Sequence, residues 1–203
     1  MPRQGDYITD ASADGQSCWA AAVAVRESLH RVEISKLRSF ILPLLKGRAF
    51  HVTDEAAYQS ILAKGRVCTN RDERYQFTYA FSGLSYFRQR GCVSVCDLRS
   101  VTDSEIGEGL DRYNFLHPRY DHDTVVHLLL GDTATRRLIT WDQATQADGL
   151  TIQGVPHIES GHPGPIPIAD LDEALVVNIS CRDDPMLDAL RSGGHPLRPP
   201  DAP

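Results

Sequence analysis

The chain has 203 residues, enough for one domain with a small extension, and its 41% hydrophobic and 24% charged content is that of a globular protein with a sizeable core. A formal net charge of −6 argues against sequence-blind clamping of nucleic acid, which depends on many Lys/Arg–phosphate contacts. No apolar run approaches the roughly 20 residues of a membrane span. The N-terminus, MPRQGDYITD, has no apolar signal-peptide region, so a cytoplasmic location, or delivery into a target cell's cytosol, is expected.

In chain order, small and apolar residues run almost continuously from Ser17 to His30, which predicts a helix. A second helix is predicted over Ile34–Leu45, with Ile34, Leu37, Ile41 and Leu44 at helical spacing and Pro43 kinking or shortening its end. "AFHVT" then reads as a short strand. Thr53 is a plausible N-cap for the next helix, which turns Ala57, Tyr58, Ile61 and Leu62 inward and stops at Gly65. Strands dominate afterwards: Arg66–Cys68, Thr78–Ser82, Cys92–Asp97, Thr124–Leu130, Leu138–Trp141, Val155–Glu159 and Ala174–Ile179. Short helices fit at Tyr86–Arg90, Ser104–Tyr113 and Ala169–Asp172, and "GDTATRR" reads as a hairpin connection. The tail "RSGGHPLRPPDAP" has almost nothing to bury and is expected to be disordered or draped on the surface. The fold class is α+β, divided into a helical extension (1–45), a main domain (46–181) and the tail (182–203).

The cysteines number five, Cys18, Cys68, Cys92, Cys96 and Cys181, an odd count spread through apolar runs, so reduced thiols are the simplest reading. Cys92 and Cys96 share one face of a predicted strand with no CxxC or HxxxH beside them, and no metal site is expected. In "DGQSCWAAAVAVRESLH", Gln16 ahead of Cys18-Trp19 is similar to the way papain-like peptidases present their nucleophile. His127 in "VVHLLL" and Asp142 in "LITWD" would then complete a thiol site. The structural alternative is a buried first turn, with Cys18, Trp19, Ala22, Val25 and Leu29 as one apolar stripe. Burying Trp19 alone contributes on the order of 2–3 kcal/mol.

Three later segments carry a different chemistry. "AFHVTDEAAYQSILAKGRV" sets a His on a strand before a helix, a Gly and another short strand. "YAFSGLSYF" follows a strand with a short helix containing Ser and Tyr. "VPHIESGHPGPIPIADLDEALVV" carries Glu159 on a strand, then a loop, "IPI" and a final strand. In order and type these resemble the motifs of the ADP-ribosyltransferase-like fold, closest to its His-Tyr-Glu branch, over about residues 48–180; the first also resembles the DNA-targeting bacterial toxins of that fold.

The resemblance implies a split antiparallel sheet of the ADP-ribosyltransferase type with small helices, and the helical pair read in residues 1–45 is expected to pack on it. It implies NAD as the substrate that is cleaved. Glu159 would stabilise the oxocarbenium-like cation that develops as nicotinamide leaves. His51 would hydrogen-bond the adenosine ribose with Thr53 beside it, Tyr86 would stack on nicotinamide, and Ser82 would lie on the strand leading in. Arg71 is the first candidate for the arginine that serves the reaction, with Arg66, Arg74, Arg88 and Arg90 as other cations for the diphosphate. The acceptor region would be "QATQADGLTIQGVP", with Gln143, Gln146 and Gln153. The position two residues before Glu159, Gln or Glu in protein-arginine modifiers, is His157 here, which makes arginine transfer doubtful. The acceptor is thus an undefined macromolecule, protein or nucleic acid, or water, and an antitoxin or immunity partner fits a toxin. Two alternatives stand: the cysteine peptidase using Cys18 and His127, and a non-catalytic member of the same fold that binds a nucleotide or a partner.

Overall fold

The computed structural model describes residues 25–75, 85–116, 124–148 and 154–180. The strands and helices run β1 (Arg26–Glu33), α1 (Leu37–Leu45), β2 (Ala49–Asp54), α2 (Glu55–Lys64), β3 (Arg66–Val67), α3 (Tyr86–Gln89), β4 (Cys92–Asp97), α4 (Asp103–Arg112), β5 (Thr124–Leu130), α5 (Asp132–Thr135), α6 (Trp141–Asp148), β6 (Glu159–Pro163), β7 (Ile166–Pro167) and β8 (Leu171–Ser180). Six strands form one sheet in the order β1-β8-β5-β2-β4-β6, and β3 and β7 form a separate pair. All neighbours in the larger sheet are antiparallel except β1 and β8. The architecture is α+β with a largely antiparallel sheet and several small helices. Among the described residues no helix is long and apolar enough to cross a membrane.

The central strand β5, TVVHLLL, is apolar almost throughout because both of its faces are covered. Its even-numbered residues Val126, Leu128 and Leu130 join Ala49, Tyr58, Ile61, Ile166 and Leu171 in a core under α2. Its odd-numbered Val125 and Leu129 join Phe50, Val177, Leu37, Ile41, Leu45 and Ile106 in a second core under α1 and α4. Local chemistry sets the ends of two of the helices. Asp54 caps α2 by accepting from the Ala57 N–H at 2.7 Å, and Gly65 closes it in the left-handed region at φ 66°. Thr102 and Glu105 form a reciprocal capping box on α4.

Several sequence expectations are corrected. The helix expected to end at His30 is a strand where it is described: residues 26–33 pair in parallel with β8 over their whole length. Tertiary pairing overrides the helical propensity of this stretch, and only α1 remains of the expected helical pair among the described residues. Cys18 and Trp19 lie outside those residues, as do the strand Thr78–Ser82 and the tail. Thr53 is not the cap of α2; it is a buried β2 residue, and the cap is its neighbour Asp54. "GDTATRR" contains the helical turn α5 instead of a hairpin, since β5 and β8 pair with each other directly. Leu138–Trp141 contributes only an isolated bridge between Ile139 and Gly161 before α6 begins. Residues 155–158 form a turn, so Glu159 opens a strand rather than ending one.

Strands β2 and β4 pair at only two positions, Ala49–Asp97 and Phe50–Cys96. Past that point they part, while β4 stays fully paired with β6 on its other side. Phe50 stands at the base of the split, 0% exposed, with its ring against Phe115 and His127. Phe50→Ala should lower stability by about 3–5 kcal/mol, read as a fall in the urea unfolding midpoint. A loss below about 1 kcal/mol would mean that the split does not depend on this ring.

Candidate functional site

Glu159 is the first residue of β6, opposite Cys96. Both oxygens of its carboxylate are held. Oε1 accepts from Ser85 Oγ at 2.6 Å and from Ser94 Oγ at 2.7 Å, while Oε2 accepts from the Val155 N–H at 3.2 Å. The two serine oxygens lie 2.6 Å apart. Each hydroxyl has one proton, and with both given to Oε1 the serine–serine approach is a contact rather than a bond. Hydrogen bonds to an ionised acceptor are the strong ones, so this carboxylate is fixed in place more firmly than a surface glutamate.

The three donors come from three elements. Ser85 is the N-cap of α3, Ser94 lies in the middle of β4, and Val155 belongs to the turn before β6. That turn closes on itself through Glu159 N–H to Val155 O at 2.9 Å and carries His157 in the left-handed region at φ 62°. The strained His157 is half-exposed at the side chain and faces Glu105 at 3.9 Å and Asp142 at 3.8 Å. Ile158 is fully buried and anchors the turn on α4, where only Gly109 leaves room: a Cβ there would stand 2.3 Å from Ile158 Cδ1.

Aromatic residues border the carboxylate. A Cβ on Gly154 would stand 2.3 Å from Glu159 Oε2 and 2.9 Å from Trp141 Cζ3, so the backbone passes between the two side chains with no room for one of its own. Trp141 belongs to a small cluster with Phe87, Cys92 and Ala144, and Tyr86 packs against it. Tyr86 is edge-on to Phe87, donates its hydroxyl to Asp148 and lies under the Arg90 guanidinium, which also bonds Asp148. Cys96 stays a neutral thiol: burial first, then Glu159 and Asp97, push its pKa up.

His51 reaches the site from the other side of Ser94. Its pairing partner Leu128 belongs to the core under α2, whereas Glu159 pairs with Cys96 on the opposite face. The two meet at one residue only because β2 and β4 part. The Nδ1 of His51 lies 2.9 Å from the Ser94 carbonyl, to which it donates, and Ser94 Oγ goes to Glu159. Desolvation outweighs that hydrogen bond and holds the His51 pKa below its ordinary 6.5, leaving a neutral ring with Nε2 as an acceptor.

The site residues expected from sequence thus divide. Glu159 and His51 share Ser94, and Tyr86 is joined to them through its chain neighbour Ser85. Thr53 is buried in β2 and 3% exposed, without the access a ligand contact needs. Arg71 is exposed on the turn after β3, with its Cδ 3.7 Å from where a Gly91 Cβ would be, beside the α3–β4 turn that carries Arg90. Ser82 lies outside the described residues. His127, the proposed thiol partner, is 0% exposed and edge-on to Phe50 within the sheet. The residues that sequence reasoning missed are Ser85, Ser94, Trp141 and Gly154. Of these, Ser85 alone had a signal, as a cap-type residue opening "SYFRQ".

A carboxylate fixed in this way is suited to stabilising a positive charge that develops next to it. No family model, curated protein or solved structure matches this chain.

Two outcomes test the geometry. Gly154→Ala forces its methyl onto Glu159 Oε2 and Trp141, and should lower the thermal midpoint by the equivalent of about 1–3 kcal/mol; an unchanged midpoint would mean that the carboxylate is not held there. The pH dependence follows from His51. Its folded pKa is depressed, so its contribution is complete above 6.5 and is lost as pH falls through the lower folded value. Stability should therefore drop on acidification below 6.5, and His51→Asn should flatten that part of the profile.

Proposed function

We propose that this chain is an enzyme of the ADP-ribosyltransferase type, which cleaves NAD at the nicotinamide–ribose bond and passes ADP-ribose to a macromolecular acceptor or to water. The observation that carries it is the Glu159 carboxylate, held by Ser85, Ser94 and the Val155 N–H, with Ser85 the N-cap of the helix that opens on Tyr86 and with Trp141 across the Gly154 backbone. In this reading the C–N bond breaks with its electron pair leaving on nicotinamide. Glu159 faces the resulting oxocarbenium, and an acceptor adds its lone pair to the anomeric carbon and gives up a proton. The restrained carboxylate supplies charge stabilisation without reorganising during the reaction.

The remaining roles follow from that assignment. Tyr86 presents its ring to nicotinamide, with Arg90 on the ring and Asp148 fixing its hydroxyl. The Nε2 of His51 accepts from a ribose hydroxyl, since Nδ1 is committed to Ser94. Arg71, with Arg90 near it, is the cation for the diphosphate. The splaying of β2 from β4 supports a split sheet of this type. A toxin role, with an antitoxin or immunity protein as partner, is part of the same proposal.

A carboxylate with all its bonds made inside the protein is also what a purely structural or binding role requires, and one experiment separates the readings. NAD labelled in the nicotinamide ring is incubated with the pure chain and with cell extract. Nicotinamide release should fall by about 10²–10³ in Glu159→Gln, with the circular dichroism spectrum unchanged. NAD binding without release in either protein would leave a non-catalytic binding module. Release that survives Glu159→Gln would overturn the assignment, and peptide cleavage abolished by Cys18→Ala would replace it with the thiol reading.

A further inference from the structure

The outermost strand β1 lies at the opposite edge of the sheet from the candidate site, and among the described residues it pairs only with β8. It is eight residues long, RESLHRVE, with no proline, no lysine and an unbroken register. Proline, lysine and a bulge are devices by which natural edges avoid pairing, and β1 lacks all three; its charges, Arg26, Glu27, Arg31 and Glu33, alternate in sign and so can pair as well as repel. Its even-numbered side chains are engaged: His30 lies against Phe40, Ser28 donates to Glu173, and Val32 is buried under α1. Of the odd-numbered ones, Leu29 is 70% exposed between exposed Glu27 and Arg31.

We propose that β1 is a homodimerisation edge, on which a second copy of this chain pairs antiparallel about a two-fold axis through Leu29. The argument is one of parity and charge. About an axis normal to the sheet, opposed residues share a face, so an odd-numbered residue opposes only an odd-numbered one. With Leu29 opposite itself, Glu27 stands opposite the second copy's Arg31, and Arg31 opposite the second copy's Glu27. Moving the axis to Ser28 sets Glu27 against Leu29 and Arg31 against Val25. Moving it to His30 sets Glu27 against Glu33, a like-charge pair, and Leu29 against Arg31. Of these three registers, only the one centred on Leu29 opposes unlike charges and joins leucine to leucine.

Glu27 is held ready for this. Its Oε1 accepts from the Tyr58 hydroxyl at 2.5 Å, which leaves Oε2 for a guanidinium. Because every contact is made twice, the contact is isologous and closes at two copies. It joins two six-stranded sheets into one continuous sheet and leaves the β4–β6 edge of each copy, with its Glu159, at the outer ends. A seam of this size gives a weak dimer, with Kd on the order of micromolar.

Sedimentation equilibrium of the full chain, across a concentration series through the micromolar range, should show the mass rising from 22.5 kDa toward its double. Leu29→Lys and Arg31→Glu each place like charges across the axis and should return the protein to monomer, with the thermal midpoint measured below the Kd unchanged because both side chains are exposed. Leu29→Cys should cross-link under a mild oxidant, since directly opposed strand residues lie about 4.5–5.5 Å apart at Cα, within disulfide reach. Arg26→Cys and Glu33→Cys should cross-link no more than the wild-type cysteines do. A chain that stays monomeric across the series, a dimer indifferent to both charge variants, or cross-linking strongest at Arg26→Cys or Glu33→Cys would each overturn the proposal.

Discussion

Ser94 is bonded from two directions, and the geometry of the candidate site depends on that. Its carbonyl accepts from His51 across the split between β2 and β4, and its hydroxyl donates to Glu159 across the ladder to β6. Were β2 and β4 paired along their whole length, the carbonyl would be committed to the ladder and the imidazole would stay on its own face. The early parting of two strands thus turns one serine into the link between residues that the register assigns to opposite faces. The turn from Gly154 to Ile158 completes the arrangement, because a carboxylate tied only to hydroxyls would still be able to rotate.

The cores explain how a short split is tolerated. β5 and β8 are paired along most of their length, and β5, buried on both sides, holds β2 through five residue pairs. The stability of the sheet therefore resides in its centre, and β4 and β6 can follow a course set by their own loop. Gly161 shows how close that course is: a Cβ there would stand 2.2 Å from Phe87 Cδ1, so α3 lies directly on the β6 backbone. The helix that carries Tyr86 is four residues long and would not persist alone. It is held by Phe87 packing and by the Ser85 cap, whose hydroxyl also serves Glu159.

The sequence made the central strands legible because alternation and continuous apolar runs are direct records of burial: Cys92–Asp97 and Thr124–Leu130 were both placed to the residue. It misread residues 26–30 as helix because local propensity does not register a partner strand far along the chain. It read 155–158 as strand because an apolar turn buried by Ile158 has the same composition as a strand. At the site, Glu159 was legible as a carboxylate in an apolar context, and His51 as a polar residue on a buried strand. Ser94 and Gly154 were not, since a serine in an alternating strand and a glycine in a loop are commonplace until their neighbours are known.

Parallel pairing of β1 with β8 sets the order in which the molecule can be completed. Arg26 registers with Glu173, so this margin of the sheet forms only after synthesis has passed through β8. Contacts of such long sequence separation pay their loop-closure entropy before they return anything, and they form late. With ribosomal synthesis at roughly 5–20 residues per second, Val32 waits on the order of 10 s or more for its partner strand. During that interval the nascent chain presents an unpaired strand and the bare face of α1.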